Sequence, residues 1–232
     1  DGSIGNISVQ ILGTNDAPTL TGVRSSFDYS ESAASGITRT QLDSNVVLSD
    51  LDSSNFDGGS LTVTINNVVA GQDQLTVLNQ GTANGQISVV GSAVSYGGVS
   101  IGTISGGTLG TPLTVSLNGN ATPSAVDALI QRVAYGNSSQ LPDTTSRSIT
   151  ITVKDGDGTA NGGTDSVSST VNVNVISVND APTFSNLSGT RAFTEGGNAV
   201  VLDSNASLAD RELAINNNYG GATLTLSRAG GA

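Results

Sequence analysis

The stretch TVNVNVISVNDAPTF, from Thr170 to Phe184, decides the fold because it joins a strand pattern to a linker that the chain spells twice. Valines alternate with polar residues in TVNVNV, and this period of two predicts a β-strand with one face on a core and the other in water. The linker pentapeptide Asn-Asp-Ala-Pro-Thr begins at Asn179, and the same five residues begin at Asn15, 164 positions earlier. The second copy indicates that the strand and its linker belong to a repeated unit.

The repeat extends well beyond the pentapeptide. A strand opened by Asp precedes each copy, a Glu follows each copy, and the motifs QLDSNVVLSDLD and VLDSNASLADRE then occupy equivalent places. The matching positions are Asp1 with Asp165, Asn15 with Asn179, Glu31 with Glu195 and, after a short deletion, Gln41 with Val201. A repeat of this length is typical of modules arranged in a row.

We therefore divide the chain into three parts. Residues 1–14 are expected to be the last strand of a preceding repeat, residues 15–178 a complete module, and residues 179–232 a linker and the opening strands of the next repeat. The two flanks would leave unpaired strand edges, so they should either fray or pair with a neighbouring chain. The chain as a whole reads as a fragment of something longer.

Three further segments, SLTVTI, PLTVSL and SITITV, show the same alternation, and clusters of Gly, Asn, Asp and Ser separate them. This pattern predicts an all-β fold in which the strands form a β-sandwich around Val, Ile, Leu and Ala. Aromatic residues make up 3% of the chain. Among them we expect Phe27, Phe56, Tyr96 and Tyr135 in the core.

One segment, ATPSAVDALIQRVAYGN, departs from the strand pattern. Thr122 is a good N-cap, a proline follows it at the first helical position, apolar residues from Val126 to Val133 make one stripe, and Gly136 is a stop signal. We predict one short inserted helix, about 122–135, that closes an open end or side of the sandwich.

The composition excludes several classes of function. The chain has no Cys and no His, so it lacks disulfides, thiolate metal sites and catalytic Ser-His or Cys-His pairs. Nineteen acidic and eight basic residues give a net charge of −11, which argues against nucleic acid as a partner because phosphate binding needs Lys and Arg. No apolar run approaches the ~20 residues of a membrane span, so we expect no membrane insertion. The charge fits a cation partner, and it equally fits a solvated acidic surface.

Strand direction places many of the acidic residues at the two ends of the module. If the first linker lies at one end, the first strand carries the chain to the other end, and the return brings it back to the SDLD motif. The turn KDGDGT precedes the last strand and therefore lies at the first end. We expect this near pole to gather Asn15, Asp16, Asp50, Asp52, Asp155, Asp157 and Asp165. We expect the far pole to bring Glu31, Asn179 and Asp180 against Asp210 and Glu212 of the next repeat.

Such crowding favours Ca²⁺, a hard cation that takes six to eight oxygen ligands at about 2.3–2.6 Å from carboxylates, amides and the backbone. Carboxylates brought within a few ångströms repel one another unless a cation lies among them. The alternatives are a simple hairpin loop for DGDG, a solvated turn for LSDLD and an ordinary surface pair for ADRE. An EF-hand does not fit, because Ala160 and Ser166 occupy the loop positions that need Gly and Glu.

A strand ending in VNDAP, a Glu about sixteen residues later, an ADRE motif and a DGDG turn before the next VNDAP resemble the cadherin-like repeats of giant bacterial surface proteins and RTX-type adhesins. The resemblance covers nearly the whole chain. It implies a cadherin- or Ig-like Greek-key β-sandwich, tandem modules in a rod, and Ca²⁺ at the joints between modules. This repeat is longer than an ordinary cadherin module, and Ser177 stands where the family often has an acid, which affects the number of ions per joint.

We therefore expect a calcium-binding extender module of a secreted, extracellular bacterial surface protein, whose neighbouring repeats form a rod for cell adhesion or for biofilm and matrix assembly. One alternative is a carbohydrate-binding module that uses a sheet face or the GGVSIGTISGG loop to bind a surface polysaccharide. Another is a self-assembling matrix filament subunit, in which NISVQIL of one chain adds as an edge strand to the unfinished sandwich of another. We favour an enzyme least, because the sequence suggests no aromatic-lined cleft around a carboxylate pair.

Overall fold

The computed structural model of the protein describes residues 5, 7–33, 36–215 and 218–227. Its strands coincide with segments rich in Val, Ile, Thr and Tyr, which suit a pleated, half-buried surface. The strands are β1 (Thr19–Thr21), β2 (Ser26–Ser30), β3 (Arg39–Gln41), β4 (Val47–Ser49), β5 (Ser60–Ile65), β6 (Asp73–Val77), β7 (Ile87–Val90), β8 (Ala93–Tyr96), β9 (Val99–Gly106), β10 (Leu113–Leu117), β11 (Val133–Asn137), β12 (Arg147–Lys154), β13 (Ser166–Ile176), β14 (Thr183–Ser185) and β15 (Ser207–Ala209). The helical segments are α1 (Pro123–Ile130), a 3₁₀ turn (Ala160–Gly162) and α2 (Arg211–Ile215).

Two sheets enclose the core of the module. Among the described strands, eight form the larger sheet in the order β2-β13-β12-β5-β10-β9-β8-β7, and three form the smaller one in the order β3-β11-β6. Neighbouring strands run antiparallel except β2 and β13, which are parallel. The four segments predicted from alternation are β5, β10, β12 and β13, and each buries alternate residues along its core-contacting part.

The core lies between the two sheets and consists mainly of Val, Leu and Ile. The rings of Tyr29 on β2 and Tyr135 on β11 meet edge to face with their centroids 4.9 Å apart, so the two sheets are in direct contact. Phe27 and Phe56 are buried, and Tyr96 packs against the core while half-buried. The predicted all-β sandwich with a short helix is confirmed.

The helix is shorter than the predicted 122–135. It begins after Thr122, whose hydroxyl accepts a hydrogen bond from a backbone N–H of the first turn, and it ends at Ile130. Residues Val133–Asn137 instead form β11, the central strand of the smaller sheet, and all five are buried. The prediction was wrong there because Val133 continues the apolar stripe of the helix but is equally suited to a buried strand, where β-branched side chains pack well.

A buried polar cluster lies within the core. Arg147 Nε is 2.7 Å from Asp73 Oδ2, and both side chains are fully buried. The other oxygen of Asp73 accepts hydrogen bonds from the Tyr135 hydroxyl at 2.6 Å and from Asn137 Nδ2 at 3.0 Å. Burial raises the pKa of Tyr135, and its hydrogen bond to Asp73 raises it further. Each oxygen of this carboxylate has a partner, so we assign the cluster a structural role.

The second repeat copies the first at its opening. β14 pairs antiparallel with β15, with Thr183 opposite Ala209, as β1 pairs with β4, with Thr19 opposite Ser49. In each pair the threonine hydroxyl donates to the opposite carbonyl, at 3.2 Å in the first repeat and 3.3 Å in the second. These positions are the ones that the two offsets in the sequence relate, so the sequence repeat is also a repeat of structure. The ADRE motif, predicted within opening strands, leads instead into α2.

Candidate metal centres

The near pole is built where three segments meet, namely the linker, the SDLD motif and the DGDG turn. β1 and β4 run antiparallel, so the linker before β1 lies beside the SDLD motif that follows β4. β12 and β13 are also antiparallel, so the DGDG turn between them lies at one end of the larger sheet. Hydrogen bonds join the two regions, because Asn15 bonds to the turn and Asp16 N donates to Asp52 Oδ2 at 3.1 Å. The linker, the SDLD motif and the DGDG turn therefore lie together at one end, as strand direction predicts.

Asn15 is the residue that holds the DGDG turn. Its amide nitrogen donates to Asp155 Oδ2 at 3.0 Å and to the carbonyls of Gly158 at 3.1 Å and Thr164 at 2.7 Å. The backbone carbonyl of Asn15 accepts a hydrogen bond from the Thr164 N–H at 3.0 Å. With its amide N–H groups directed to the turn, Asn15 positions the carboxylate of Asp155.

The acidic side chains of the near pole are linked through backbone N–H groups and one hydroxyl. Asp50 Oδ1 accepts from the N–H groups of Asp52 at 3.1 Å and Ser53 at 2.8 Å. The Ser53 hydroxyl donates to Asp157 Oδ2 at 2.8 Å, and the Asp157 N–H donates to Asp155 Oδ1 at 2.8 Å. The carboxylates of Asp50, Asp155 and Asp157 thus belong to one connected network.

Asp155 is fully buried within this network. Burial raises its pKa, the hydrogen bonds from Asn15 and Asp157 lower it, and the negative charges of Asp50 and Asp157 raise it again. The balance is a raised pKa, so the folded chain opposes the charged form of this carboxyl. A cation at the pole would remove that opposition.

Asp165 does not join the carboxylates of the near pole through its side chain. Its carboxylate is 2.9 Å from Lys154 Nζ, and its backbone carbonyl accepts the Asp155 N–H at 3.0 Å. Asp165 lies directly before β13 as expected, but its side chain is committed to an ion pair on the sheet.

The far pole begins at Glu31, which directly follows β2. Because β2 and β13 are parallel and in register, with Ser30 opposite Ile176, Glu31 lies beside the residues that follow β13. Its Oε1 accepts from the Ser177 hydroxyl at 3.1 Å and the Val178 N–H at 3.0 Å. The side chain is 5% exposed, and its second oxygen is buried without a partner.

The linker and the second repeat bring further acids to this end. Asp180 and Asp210 line one cleft of about 650 Å³, together with Ala33 and Gln140 of the complete module. Asp210 is 6% exposed, and its Oδ1 accepts the Leu213 N–H at 2.9 Å in the first turn of α2.

The other two predicted far-pole residues differ from each other in their surroundings. Asn179 is exposed, and its amide donates to the backbone carbonyl of Asp180 at 3.1 Å. Glu212 has two buried oxygens without partners. Glu212 therefore presents carboxylate oxygens suited to a cation, whereas the Asn179 side-chain nitrogen is turned towards its own linker.

Buried polar atoms without partners test whether these residues suit a cation. In the part of the chain that the structure describes, such side-chain atoms are Glu31 Oε2, Asp50 Oδ2, Asp180 Oδ1, Glu212 Oε1 and Glu212 Oε2. All are carboxylate oxygens, and all belong to residues predicted from the sequence as metal ligands. Leaving a buried acceptor unsatisfied costs about 1–3 kcal/mol, and more when the group is charged. Hard-cation ligation would satisfy them.

The carboxylates are nevertheless not assembled into a complete site. Across the described ranges, no group of three or more acidic side chains is arranged so that it could hold a metal ion as it stands. The unpartnered oxygens and this incomplete geometry are compatible only if side chains rotate when an ion binds. Such rotation changes terminal torsions that have broad, shallow minima in Asp and Glu.

Sequence reasoning missed three residues that build these poles. Ser53 is 6% exposed and links Asp157 to the SDLD turn, but a serine beside acids gives no signal of its own. Gln140 lines the far cleft and lies in a loop without a motif. Gly156 has φ of +99°, and a Cβ there would lie 2.2 Å from the carbonyl oxygen of Asp57. The repeated Asp-Gly spelling of the turn was the available signal for this close approach.

Comparison of the chain with protein-family models, with curated proteins and with solved structures gave no match. Among the described residues, no helix is long and apolar enough to cross a membrane.

Proposed function

We propose that the chain is a calcium-binding extender region of a secreted bacterial surface protein. In this proposal, Ca²⁺ bound at the poles fixes consecutive β-sandwiches at a set angle, and the resulting rod serves cell adhesion or biofilm and matrix assembly. The observation that carries the proposal is that the unpartnered buried oxygens among the described residues all lie on acids at these poles. The location outside the cell and the adhesive role rest on the resemblance to cadherin-like repeats.

At the near pole, the acids that would hold the ion come from distant parts of the chain. Asp50 follows β4, whereas Asp155 and Asp157 lie in the turn between β12 and β13. Bound Ca²⁺ would neutralise their mutual repulsion and tie the two loops together. Asp52 is exposed beside them and is the fourth carboxylate available at this end.

At the far pole, the acids belong to both sides of a joint. Glu31 extends from the complete module, Asp180 from the linker, and Asp210 and Glu212 from the second repeat. An ion held by these groups would attach one repeat to the next, which is the mechanical function of an extender. Without the ion, repulsion among the carboxylates would loosen the joint.

Calorimetric titration of the metal-free chain with CaCl₂ tests the proposal. We expect saturable binding with a dissociation constant of about 10⁻⁴–10⁻³ M, the range of extracellular calcium modules. Glu31→Gln should remove the far sites and Asp50→Asn the near ones, because each amide keeps the hydrogen bonds that Oε1 or Oδ1 accepts and replaces the unpartnered oxygen. The matched control is Asp28→Asn, which removes one exposed charge in the middle of β2.

Three outcomes would count against the proposal. The first is no saturable heat up to millimolar calcium, and the second is unaltered binding by the double variant Asp50→Asn/Glu31→Gln. The third is a loss of binding in Asp28→Asn as large as that in the pole variants, since a general charge effect would then explain the result. Small-angle scattering with calcium and with chelator should also show a shorter maximum dimension in chelator.

The carbohydrate alternative receives little support from the surface. A shallow concavity of about 420 Å³ is lined by Asn84, Tyr96 and Asn120 beside the turn between β8 and β9. Tyr96 is its one aromatic ring, and it packs against the core. Sugar platforms need exposed rings, so the calcium-dependent rod remains the function that the geometry supports best.

A further inference from the structure

The outer face of the larger sheet, the one that points away from the core, is built largely from a part of the chain that has almost no charge. Charged residues make up 12% of the sequence, yet residues 58–126 contain only one of them, Asp73. The Asp73 side chain is fully buried in its ion pair with Arg147. This part of the chain supplies β5 and β7–β10, which are five of the eight strands of the larger sheet. Their surface is therefore uncharged.

The two neighbouring strands continue this uncharged face. The outward residues of β12 are Ser148, Thr150 and Thr152, followed by Lys154 at the end of the strand. The outward polar residues of β13 are serines, a threonine and asparagines. Among the described strands of the sheet, outward charges thus lie at the margin, where Lys154 pairs with Asp165 and where Asp28 lies on β2. Soluble surfaces usually intersperse charges of both signs, so this face is unusual.

The strand register arranges the outward hydroxyls in rows across five strands. Thr62 on β5 lies opposite Thr152 on β12 and opposite Thr114 on β10. The same row ends at Ser168 on β13 and at Ser105 on β9. All five side chains are exposed or half-buried, whereas the residues on either side of Thr62 along β5 are fully buried in the core. We call the outward Ser and Thr residues of β13, β12, β5, β10 and β9 the hydroxyl face.

Repeats joined end to end leave the hydroxyl face open. The poles lie at the ends of the strands, where the DGDG turn joins β12 to β13 and where the linker follows β13. The hydroxyl face lies along the sides of the same strands, with Thr62 and Thr114 near its centre. A neighbouring repeat that docks at a pole therefore does not cover it.

Charge favours a second copy of the chain as the partner of this face. The net charge is −11, so two copies repel each other where their acidic surfaces approach within a Debye length of about 10 Å at 0.1 M salt. Contact through the hydroxyl face brings uncharged surfaces together instead. A hydroxyl both donates and accepts hydrogen bonds, and Thr152 and Ser168 bond to each other at 2.8 Å. The face can therefore bind a copy of itself across a two-fold axis.

We propose that the hydroxyl face is a lateral self-association surface, through which two copies of the module pack face to face. Paired hydroxyls and threonine methyl groups form the contact, and the acids of the poles take no part in it. The inference goes beyond the calcium-dependent joint, because it concerns contact between rods and not the stiffness of one rod.

The area of the face sets the strength of this contact. Five strands at 4.7–4.9 Å and five or six residues at about 3.3 Å give roughly 24 Å by 17–20 Å, or about 400–480 Å² per copy. Two faces together bury about 800–960 Å², which is less than the roughly 1,200–2,000 Å² of stable interfaces, so we expect a dissociation constant on the order of 1 mM. In a rod, the faces of consecutive modules act together and strengthen the contact.

Amide NMR spectra of the unmodified chain in chelator, recorded from about 0.05 to 2 mM, test the contact because this range spans a dissociation constant of about 1 mM. We expect progressive shifts at the amides of β5, β10 and β12, and none at the DGDG turn. No concentration-dependent shift, or shifts confined to the poles, would overturn the proposal. Shifts of the same amides on addition of dextran, without dependence on protein concentration, would assign the face to a neutral glycan and reject a second copy as its partner.

Two substitutions of opposite charge at Thr62 separate this contact from general charge repulsion. Thr62→Glu and Thr62→Lys each place a charge against an uncharged face and should weaken association at least about tenfold, because the charge loses water without gaining a partner. General repulsion predicts the reverse for Thr62→Lys, which lowers the net negative charge. The matched controls are Val47→Glu and Val47→Lys, since Val47 is 53% exposed on β4, outside the larger sheet, and should leave association unchanged.

Stronger association in Thr62→Lys, or an equal loss in the Val47 variants, would refute contact through the hydroxyl face. Spectra of each variant at low concentration verify that it is folded. If the Thr62 variants do not fold, Thr114→Lys repeats the test from the same row of the face.

Discussion

The substitution Asp50→Asn separates a metal ligand from an ordinary structural carboxylate. Asp50 Oδ1 accepts two backbone N–H groups of its own turn, and an asparagine keeps this oxygen. Its Oδ2 is buried and has no partner, and its charge is among those that raise the pKa of Asp155. In chelator, the variant should therefore unfold at the same temperature as the unmodified chain or higher, because one repelling charge has been removed.

In calcium, the unmodified chain should unfold at a higher temperature than the variant. A ligand that binds the folded state stabilises it by RT ln(1 + [L]/Kd), which at 10 mM Ca²⁺ and a Kd of about 10⁻⁴–10⁻³ M is about 1.4–2.7 kcal/mol per site. For a unit of this size, 1 kcal/mol changes the melting temperature by about 2–4 °C. The calcium-induced shift of Asp50→Asn should thus be smaller than that of the unmodified chain by about 3–11 °C.

Differential scanning calorimetry with 10 mM CaCl₂ and with chelator measures both orders, and 10 mM here is about 10–100 times the expected Kd. Asp28→Asn is the charge-matched control, and its calcium-induced shift should equal that of the unmodified chain. A variant that is less stable in chelator but gains the full calcium shift would show that Asp50 is a structural turn residue. That result would refute the ligand assignment.

Three further predictions concern the same region and the core. Burial raises the pKa of Asp155. The stability contributed by its proton is therefore present below the ordinary carboxyl pKa and is lost as the pH rises through the raised pKa. Because calcium competes with that proton, the calcium affinity measured by calorimetry should fall as the pH is lowered from neutral towards the raised pKa of Asp155. Arg147→Met leaves a buried carboxylate unpaired and should cost about 3–5 kcal/mol in urea unfolding, whereas Lys154→Met, which breaks a half-exposed pair, should cost less than about 1 kcal/mol. Gly156→Ala should lower the free energy of unfolding by about 1–3 kcal/mol and weaken calcium binding, because φ there is +99° and the new Cβ would lie 2.2 Å from a carbonyl oxygen. Gly158→Ala should lower it less, because φ there is +82° and the space around it is open. Equal losses of stability in the two variants would contradict the packing argument.

Four strands of the sandwich were predictable because each has a clear period of two. In β5, β10 and β12 the apolar residues lie on one face only, and in β13 all of them except the terminal Ile176 do, so a shift by one residue would expose the apolar face. Strand direction then sufficed to place the linker, the SDLD motif and the DGDG turn at one end. The near pole could therefore be assembled from sequence to the level of segments.

The hydrogen-bond and ion-pair partners of the side chains at the poles were not predictable in the same way. Asp165 was expected among the ligands, but a lysine on the adjacent strand takes its carboxylate. Asn15 was expected to offer its amide oxygen, whereas its nitrogen holds the DGDG turn. Both outcomes depend on which neighbour lies within about 3 Å in space, and a single sequence does not contain that distance. The misjudged end of α1 has a similar origin, since Val133 suits a helix stripe and a buried strand alike.

Recurrence in the repeat does not distinguish a candidate metal ligand from a structural acid. The hydrogen bonds of each carboxylate provide that distinction. Asp43 and its counterpart Asp203 both accept backbone N–H groups on each oxygen, and those bonds lower the pKa of Asp203. Asp50 recurs equally as Asp210, yet Asp50 keeps one buried oxygen without a donor. If the acids at the poles were only turn-forming residues, their oxygens should be satisfied as completely as those of Asp43. The buried oxygen that Asp50 leaves without a donor, in contrast to the satisfied oxygens of Asp43, is therefore the physical ground on which we propose calcium at the near pole.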